Sequence, residues 1–350
     1  MKIKDEKYIR GEVLFFAKTD KSAIEKNDFY IQDIRLIESL GYKVKICSRF
    51  RDLRFRKYSF IFIWWWTYAA PIIFAAKVLK IPTFITGTLN YIPNKKISSI
   101  FSSFQKKPFF LRKLILYSIF NCNKNLMVSK LEIKNLTKTY PKLKNKIIYF
   151  PHSYDSELCK FEDSTQEKNS TLNILNIAWS SKQNLKRKNI IFIIKAFHIL
   201  SKKYKNIKLI LLGRKGDGYD LLKKEILNLN LVKKVVLVPD ATYQEKVKYM
   251  KNSNIYVQPS LYEGFGLAIL EAMSIGLPVV VTDAGEIKNL VDDCGFYVDP
   301  YSIYDLVEVL DLLIRKPKLR SEYSLKSVGR SLLFSNEAKR TKFYEVLSNM

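Results

Sequence analysis

The stretch Pro259–Asp283, PSLYEGFGLAILEAMSIGLPVVVTD, constrains the fold more than any other part of the chain. It reads as strand end, glycine loop, helix, tight turn and strand. The apolar run Ile255–Val257 leads in, and Gly264, Phe265 and Gly266 form the loop. Glycine lets a backbone approach a ligand closely because no Cβ intervenes. A helix starting near Gly266 points its free N–H groups and positive dipole end into that loop, which suits phosphate. Gly276 and Pro278 stop the helix, as a glycine just past its end followed by proline should. Val279–Thr282 then reads as a buried strand. Two carboxylates mark the unit: Glu263 on the loop and Glu271 in the helix.

A strand–helix–strand unit of this kind belongs in a parallel sheet. Glu12–Ala17 reads as a first buried strand, Asn27–Leu40 as a helix with Ile31, Ile34, Ile37 and Leu40 on one face, and Tyr42–Ser48 as a second strand. Ser59–Ala76 is the most apolar stretch. It approaches the length of a membrane span, about 20 apolar residues. Strand Phe60–Trp64, a loop, a helix from near Pro71 and strand Thr83–Thr86 is the preferred division. Asn125–Ser129 and Ile147–Phe150 are further strands, and the polar run Glu162–Ser170 reads as a linker. The pattern then restarts. Leu172–Ala178, Ile207–Leu212, Val235–Pro239 and Ile255–Val257 read as strands; Ile190–Tyr204, Tyr219–Leu229 and Tyr243–Lys251 read as helices, and Ser180–Asn189 as a basic loop. The expected class is α/β, with two doubly wound parallel sheets and ligands at the carboxyl ends of the strands.

Composition narrows the partners. The chain has 350 residues, enough for two cores, and its 47% hydrophobic content excludes disorder. Sixty basic residues against 33 acidic give a formal charge of +27. That excess suits an anionic partner: nucleic acid, a membrane surface or a phosphorylated substrate. A lysine-rich composition is the plainer source of the charge. Asn94–Phe120 interleaves lysines and arginines with phenylalanines, leucines and isoleucines, the pattern of a segment that binds an anionic membrane surface; a packed helix with a solvated basic face is the alternative. Cys47, Cys122, Cys159 and Cys294 are far apart and read as buried thiols of a reducing compartment. Only His152 and His198 are present, which argues against a metal site of His/Cys type. The N-terminus MKIKDEKYIRG lacks an apolar core, so a cytoplasmic location is expected.

The second half closely resembles the retaining glycosyltransferases of the GT-B fold, family GT4, from about Leu172 to Val298. The resemblance rests on Glu263 and Glu271 within PSLYEGFGLAILEAMSIGLPVV, on KNIIFIIKAF at Lys188–Phe197, on LILLGRKGDG at Leu209–Gly218, and on TDAG and GFYVDP between Thr282 and Pro300. FPHSYD at Phe150–Asp155 looks like the family's interdomain turn. The resemblance implies two Rossmann-like domains facing across a cleft: an acceptor domain at 1–165, a donor domain at 166–333, and a helix at 334–350 crossing back to the first. It implies that Glu263 lies against the donor sugar and that Glu271 accepts hydrogen bonds from the ribose. Gly264, Phe265 and Gly266 present amides to the sugar and diphosphate, and Gly213, Pro259, Ser260 and Leu267 complete the donor site. Lys188 matches the family's lysine. The matching arginine is missing at its expected place, and Lys182 is the substitute. No metal or other cofactor is expected, and the donor is UDP- or GDP-linked.

The implied reaction moves a hexose to a hydroxyl of a lipid-linked or cell-surface polysaccharide (lipopolysaccharide, capsule or exopolysaccharide), at the inner face of the cell membrane. The first half departs from the family pattern. Ala17–Asn27 has no glycine, no histidine precedes His152, and Asn289 stands where an acidic residue is frequent. These departures leave room for a glycosyltransferase-like binding protein without turnover. A nucleic-acid-binding protein is the other alternative, but no recognition motif accompanies the charge, and no nucleic-acid partner is expected. Trp64–Trp66 reads as core, with an interfacial anchor or an acceptor-site wall as the other options.

Overall fold

The computed structural model describes residues 10–55, 57–91, 103–156, 159, 161 and 171–349. It contains two compact units, Met1–Ser153 with Asn336–Met350, and Tyr154–Ser335. The first boundary therefore falls at 153/154, upstream of the expected 165/166. Residues just before the polar run already pack into the second unit. Cys159 is buried with its Sγ 3.6 Å from the Tyr243 hydroxyl, and the Phe161 ring lies against Gly276, where any Cβ would come within 2.5 Å of it. The run Glu162–Ser170 lies outside the described residues.

The first unit is a six-stranded parallel sheet in the order β2-β1-β3-β4-β5-β6. Its strands are β1 (Gly11–Ala17), β2 (Tyr42–Cys47), β3 (Phe60–Trp64), β4 (Thr83–Gly87), β5 (Lys124–Met127) and β6 (Ile147–Tyr149). The inner strands β1 and β3 are covered on both faces and read as nearly continuous apolar runs, whereas the edge strand β2 alternates, with Lys43 and Lys45 exposed. On β1, Leu14 and Phe16 enter one core while Val13, Phe15 and Ala17 enter the other, the two-residue period of a strand. The expected polar loop after β1 contains a short helix, α1 (Lys21–Lys26), before α2 (Asp28–Ser39).

The apolar run Ser59–Ala76 divides into β3, a 3-10 turn at Trp66–Tyr68 and α3 (Ala70–Val78), with Pro71 in the first turn of the helix. Among the described residues no helix is long and apolar enough to cross a membrane. The basic, aromatic stretch supplies α4 (Phe109–Asn121); its residues 94–102 lie outside the described set. Helix α5 (Lys130–Thr139) begins with the Ser129 side chain accepting from the Glu132 amide.

The second unit is also a parallel six-stranded sheet, ordered β12-β11-β10-β7-β8-β9. Its elements in chain order are β7 (Leu172–Ile177), α6 (Lys182–Arg187), α7 (Ile190–Lys203), β8 (Ile207–Gly213), α8 (Tyr219–Asn228), β9 (Val235–Pro239) and α9 (Tyr243–Lys251). They continue with β10 (Ile255–Gln258), α10 (Leu267–Ser274), β11 (Val279–Val281), α11 (Ile287–Val291), β12 (Phe296–Tyr297), α12 (Ile303–Arg315) and α13 (Pro317–Ser331). The basic loop expected at Ser180–Asn189 is mostly helix α6, because the Ser181 side chain caps it by accepting from the Asn184 amide.

Helix α14 (Asn336–Ser348) belongs to the first unit. Its Phe343 is fully buried, with ring centroids 6.0 Å from Phe60, 5.8 Å from Phe62, 5.5 Å from Phe84 and 5.6 Å from Phe150. One turn earlier, the buried Lys339 Nζ lies 2.6 Å from Asp33 Oδ1 on α2. Truncating Phe343 removes the centre of this aromatic cluster. Phe343→Ala is expected to destabilise the first unit by about 3–5 kcal/mol, measured by urea titration; a loss under about 1 kcal/mol would show that α14 is only loosely held.

Candidate functional site

In the second sheet, β7, β8 and β9 run outward in sequence on one side, and β10 then returns to the other side of β7. The strand order therefore reverses between β7 and β10. In an open parallel sheet that reversal opens a crevice at the carboxyl ends, where ligands bind. The segment after β7 carries Arg187 and Lys188; the segment after β10 carries Glu263.

These three side chains meet. Arg187 Nη1 lies 3.0 Å from Glu263 Oε2, and Lys188 Nζ lies 3.2 Å from Oε1. Gln258 Nε2 donates to Glu263 Oε1 at 2.9 Å, and Ser260 Oγ to the same oxygen at 3.2 Å. Gln258 is fixed in turn, its Oε1 accepting from the Tyr256 hydroxyl at 2.6 Å and from Lys188 Nζ at 3.3 Å. Arg187 also donates to the Tyr262 carbonyl and to Asn184 Oδ1. The Asn189 backbone takes the left-handed conformation, φ 57°, which turns the chain between α6 and α7 directly after the two cations.

The backbone of Glu263 is clamped as well. The Glu286 amide donates to its carbonyl at 2.9 Å. Gly285, φ 70°, packs so closely that an added Cβ would lie 2.0 Å from that carbonyl oxygen. Only glycine satisfies both the torsion and the approach, which explains the glycine of the TDAG segment. Gly266, φ 103°, starts α10, and its carbonyl accepts from the Ile269 and Leu270 amides at 2.9 and 3.0 Å, so the amides of Leu267 and Ala268 lie ahead of the first intrahelical bonds.

The electrostatics follow from this geometry. Burial alone would raise the Glu263 pKa, but Arg187 and Lys188, by charge and by hydrogen bond, bring it down to about 2. Burial lowers the pKa of Lys188, and Arg187 adds to this against the opposing pull of Glu263. The Glu263 side chain is 9% exposed, against 21% for Arg187 and 13% for Lys188. The anion is the enclosed member, and the two cations retain a path to a ligand. Such a site can hold an anion such as a diphosphate and place a carboxylate beside the group attached to it.

Glu271 lies apart from this cluster. It is buried on α10, with Lys246 Nζ of α9 at 2.8 Å. That ammonium also sits 4.1 Å from the centre of the Tyr243 ring.

The comparisons with known proteins point the same way. Residues 163–327 match the family Glycosyl transferases group 1. That match lies within the second unit and spans just under half of the chain. An uncharacterized glycosyltransferase of Haemophilus influenzae is 33% identical over 142 residues, covering 39% of this chain and 38% of that protein. The O-antigen chain mannosyltransferase B of Escherichia coli is 34% identical over 122 residues, covering 33% of this chain and 31% of that one. The chain thus spans well under half of either relative. The whole chain superposes on Anabaena HepE, solved with UDP and glucose, with a TM-score of 0.75 at 15% identity, covering 97% of this chain and 100% of that one. That likeness shows the GT-B fold.

Within the matched segment, the structure joins Glu263 to Lys188 and leaves Lys182 out. Lys182 is exposed at the start of α6, where its backbone amide donates to Asp217 Oδ1. The second cation against Glu263 is Arg187, five residues later. The sequence reading looked for the arginine close to the strand, and the helical turn of α6 delivers it from just before Lys188. Gln258, Tyr256 and Lys246 were also missed, since a strand-end glutamine and a helix lysine carry no motif. Pro259 and Ser260 form the floor under Glu263, both buried. Gly264 on the loop and Leu267 at the start of α10 are partly exposed, while the Phe265 side chain is buried with its ring centroid 6.0 Å from that of Phe334. Gly213, φ 152°, is required by packing, since a Cβ there would lie 2.0 Å from the Ala178 carbonyl oxygen.

The Glu263 carboxylate titrates below its ordinary value of 4.5, at about 2. Its stabilisation is therefore complete above the ordinary value and is lost as pH falls toward about 2. Glu263→Gln is expected to cost at least about 2 kcal/mol at neutral pH by leaving two cations facing each other. It should also flatten the acid limb of the melting-temperature profile. A variant with an unchanged acid limb would contradict the ion cluster.

Proposed function

We propose that the protein is a retaining hexosyltransferase. It moves a hexose from a UDP- or GDP-linked donor to a hydroxyl of a lipid-linked or cell-surface polysaccharide. The observation that carries this reading is the Arg187–Glu263–Lys188 cluster at the sheet's reversal point, beside a glycine loop and a helix start. In the reaction, the bond between the anomeric carbon and the diphosphate oxygen breaks, and its electron pair leaves with the diphosphate. Arg187, Lys188 and the amides at the start of α10 stabilise that charge. The acceptor oxygen bonds to the anomeric carbon on the face the diphosphate leaves, and its proton passes to the departing diphosphate. Glu263 stabilises the positive charge that develops on the sugar or binds its hydroxyls. Glu271 receives the ribose hydroxyls. With these groups holding the diphosphate, no metal is required, and turnover should survive chelation.

The O-antigen relative supports a polysaccharide acceptor, and HepE supports a UDP-linked donor. A panel of nucleotide sugars should raise the melting temperature selectively, by mass action. Arg187→Ala and Glu271→Ala should abolish that shift, and Arg187→Ala should lower donor turnover by about 100-fold or more. Unchanged turnover in both variants would remove the assigned site.

We further place the protein on an anionic membrane surface. Helices α3 and α4 are linked by Lys77 Nζ donating to Asn121 Oδ1 at 3.2 Å. They expose Phe74, Val78, Phe109, Phe110 and Leu114 among the exposed cations Lys77, Lys80, Lys106 and Lys113. Aromatic side chains at the headgroup level and about 1 kcal/mol per cation favour such binding. The protein should sediment with phosphatidylglycerol vesicles at low salt and release as salt rises. Replacing Phe109 and Phe110 together by serine should weaken this binding at least tenfold, and no sedimentation of the parent at low salt would refute it.

A further inference from the structure

The three consecutive tryptophans after β3 go to three different places. Trp64 is buried in one core, stacked on His152 with ring centroids 5.8 Å apart and planes 3° from parallel. Trp66 is buried in the other core, its Nε1 donating to the buried Asn125 Oδ1 at 2.9 Å. Between them, Trp65 is only partly buried. Its backbone takes φ 76° and ψ 120°, a region that L residues avoid and a bulky one avoids most. Glycine would adopt it freely. A tryptophan held there by its surroundings points to a function for the ring.

The surroundings are built to hold that ring. The Trp65 amide donates to the Thr86 carbonyl at 3.0 Å. Its indole Nε1 donates to the Tyr30 hydroxyl at 2.7 Å. Its six-membered ring lies against Gly87, φ 127°, where a Cβ would come 3.1 Å from Cε3 and 3.3 Å from Cζ3. Tyr30 and Gly87, with the rings of Trp64 at 5.4 Å and Phe29 at 6.4 Å, thus hold an indole that packs against the edge of one core and keeps part of its surface exposed.

Its position adds an independent argument. In the first sheet the strand order reverses between β1 and β3, which puts the ligand crevice of this unit at their carboxyl ends. Trp65 leaves β3 there. Ala17 pairs with Trp64, and Trp64 with Thr86, so the segments after β1 and β4 emerge on either side of it. They bring Lys18, Thr19 and Asp20 from one side and Thr88 from the other, all at least partly exposed. The segment after β4 is anchored where the Leu89 amide donates to the buried Glu132 Oε2 at 3.2 Å. An indole face is apolar and electron-rich. With hydroxyl, ammonium and carboxylate side chains on the two flanking segments, it matches a ring whose flat side presents C–H groups and whose rim presents hydroxyls. A lipid chain would want an apolar surround, and a phosphate a cluster of cations.

We propose that Trp65 is the stacking platform for a pyranose ring of the acceptor, a reading that rests on the glycosyl transfer proposed above. The probes are methyl α-pyranosides of glucose, mannose and galactose, observed by saturation-transfer NMR on the full chain. At least one should receive saturation at its ring C–H protons from the parent protein. Trp65→Gly removes the ring while relieving the backbone torsion, so the melting temperature should stay within a few degrees. The variant should lose the saturation signal, and Trp65→Phe should retain part of it. With a competent acceptor, Trp65→Gly should raise the acceptor KM at least tenfold while leaving donor-induced thermal stabilisation unchanged. A saccharide signal that persists in a folded Trp65→Gly overturns the proposal. So does a Trp65-dependent signal from an alkyl detergent or a nucleoside monophosphate but from none of the pyranosides. Failure of the parent to respond to any nucleotide sugar would instead count against the donor reading, because the saccharide signal is measured without donor.

Discussion

The buried carboxylate of Glu263, held between Arg187 and Lys188, is the interaction on which the second unit depends. An enclosed charge is tolerated only where its partners are in place. Here both cations come from the segment after β7 and the carboxylate from the segment after β10, with β8 and β9 between them in sequence. The demand reaches outward: Gln258 and Ser260 complete the carboxylate's hydrogen bonds, Tyr256 holds Gln258, and Gly285 lets the neighbouring turn clamp the Glu263 backbone. The same cluster keeps two cations at the carboxyl ends of the strands, mostly covered but each with some surface left exposed. Structural satisfaction and readiness for a diphosphate are therefore one arrangement.

The two glutamates of the signature have different surroundings, and the difference is physical. Glu263 faces two cations and a loop backbone, in a position to sense a sugar and its leaving group. Glu271 faces the Lys246 ammonium, beside Tyr243 and the buried Cys159. The first unit solves another problem. Its sheet is covered on both faces, and one cover is the last helix of the chain, anchored by Phe343 and the Lys339–Asp33 pair. The strain at Trp65 sits in this otherwise regular unit, at the point where the strand order reverses.

Much of this was readable in the residues. The glycine loop, the helix from Gly266 and the stop at Gly276 and Pro278 are local chemistry, and α10 runs from Leu267 to Ser274 accordingly. The strands were legible within a residue or two because strands buried on both faces are written as continuous apolar runs. The domain boundary was misread because the polar run Glu162–Ser170 is more conspicuous than the packing of Cys159 and Phe161 just before it. Lys182, the residue standing in for the family's arginine, is exposed at the start of α6, and it is Arg187 at the end of that helix that meets Glu263, a placement set by the coiling of α6.

What the sequence determined by itself is what short-range chemistry dictates: parallel α/β units, and where glycine and proline start and stop them. What only the tertiary structure decided is which distant side chains share a point in space. It joined Glu263 to Lys188 and Arg187, gave Glu271 to Lys246, made Gly213 and Gly285 sterically obligatory, and buried Trp64 and Trp66 in two different cores with Trp65 half-buried between them. Those outcomes depend on strand order and on contacts between segments far apart in the chain, and no local propensity encodes either.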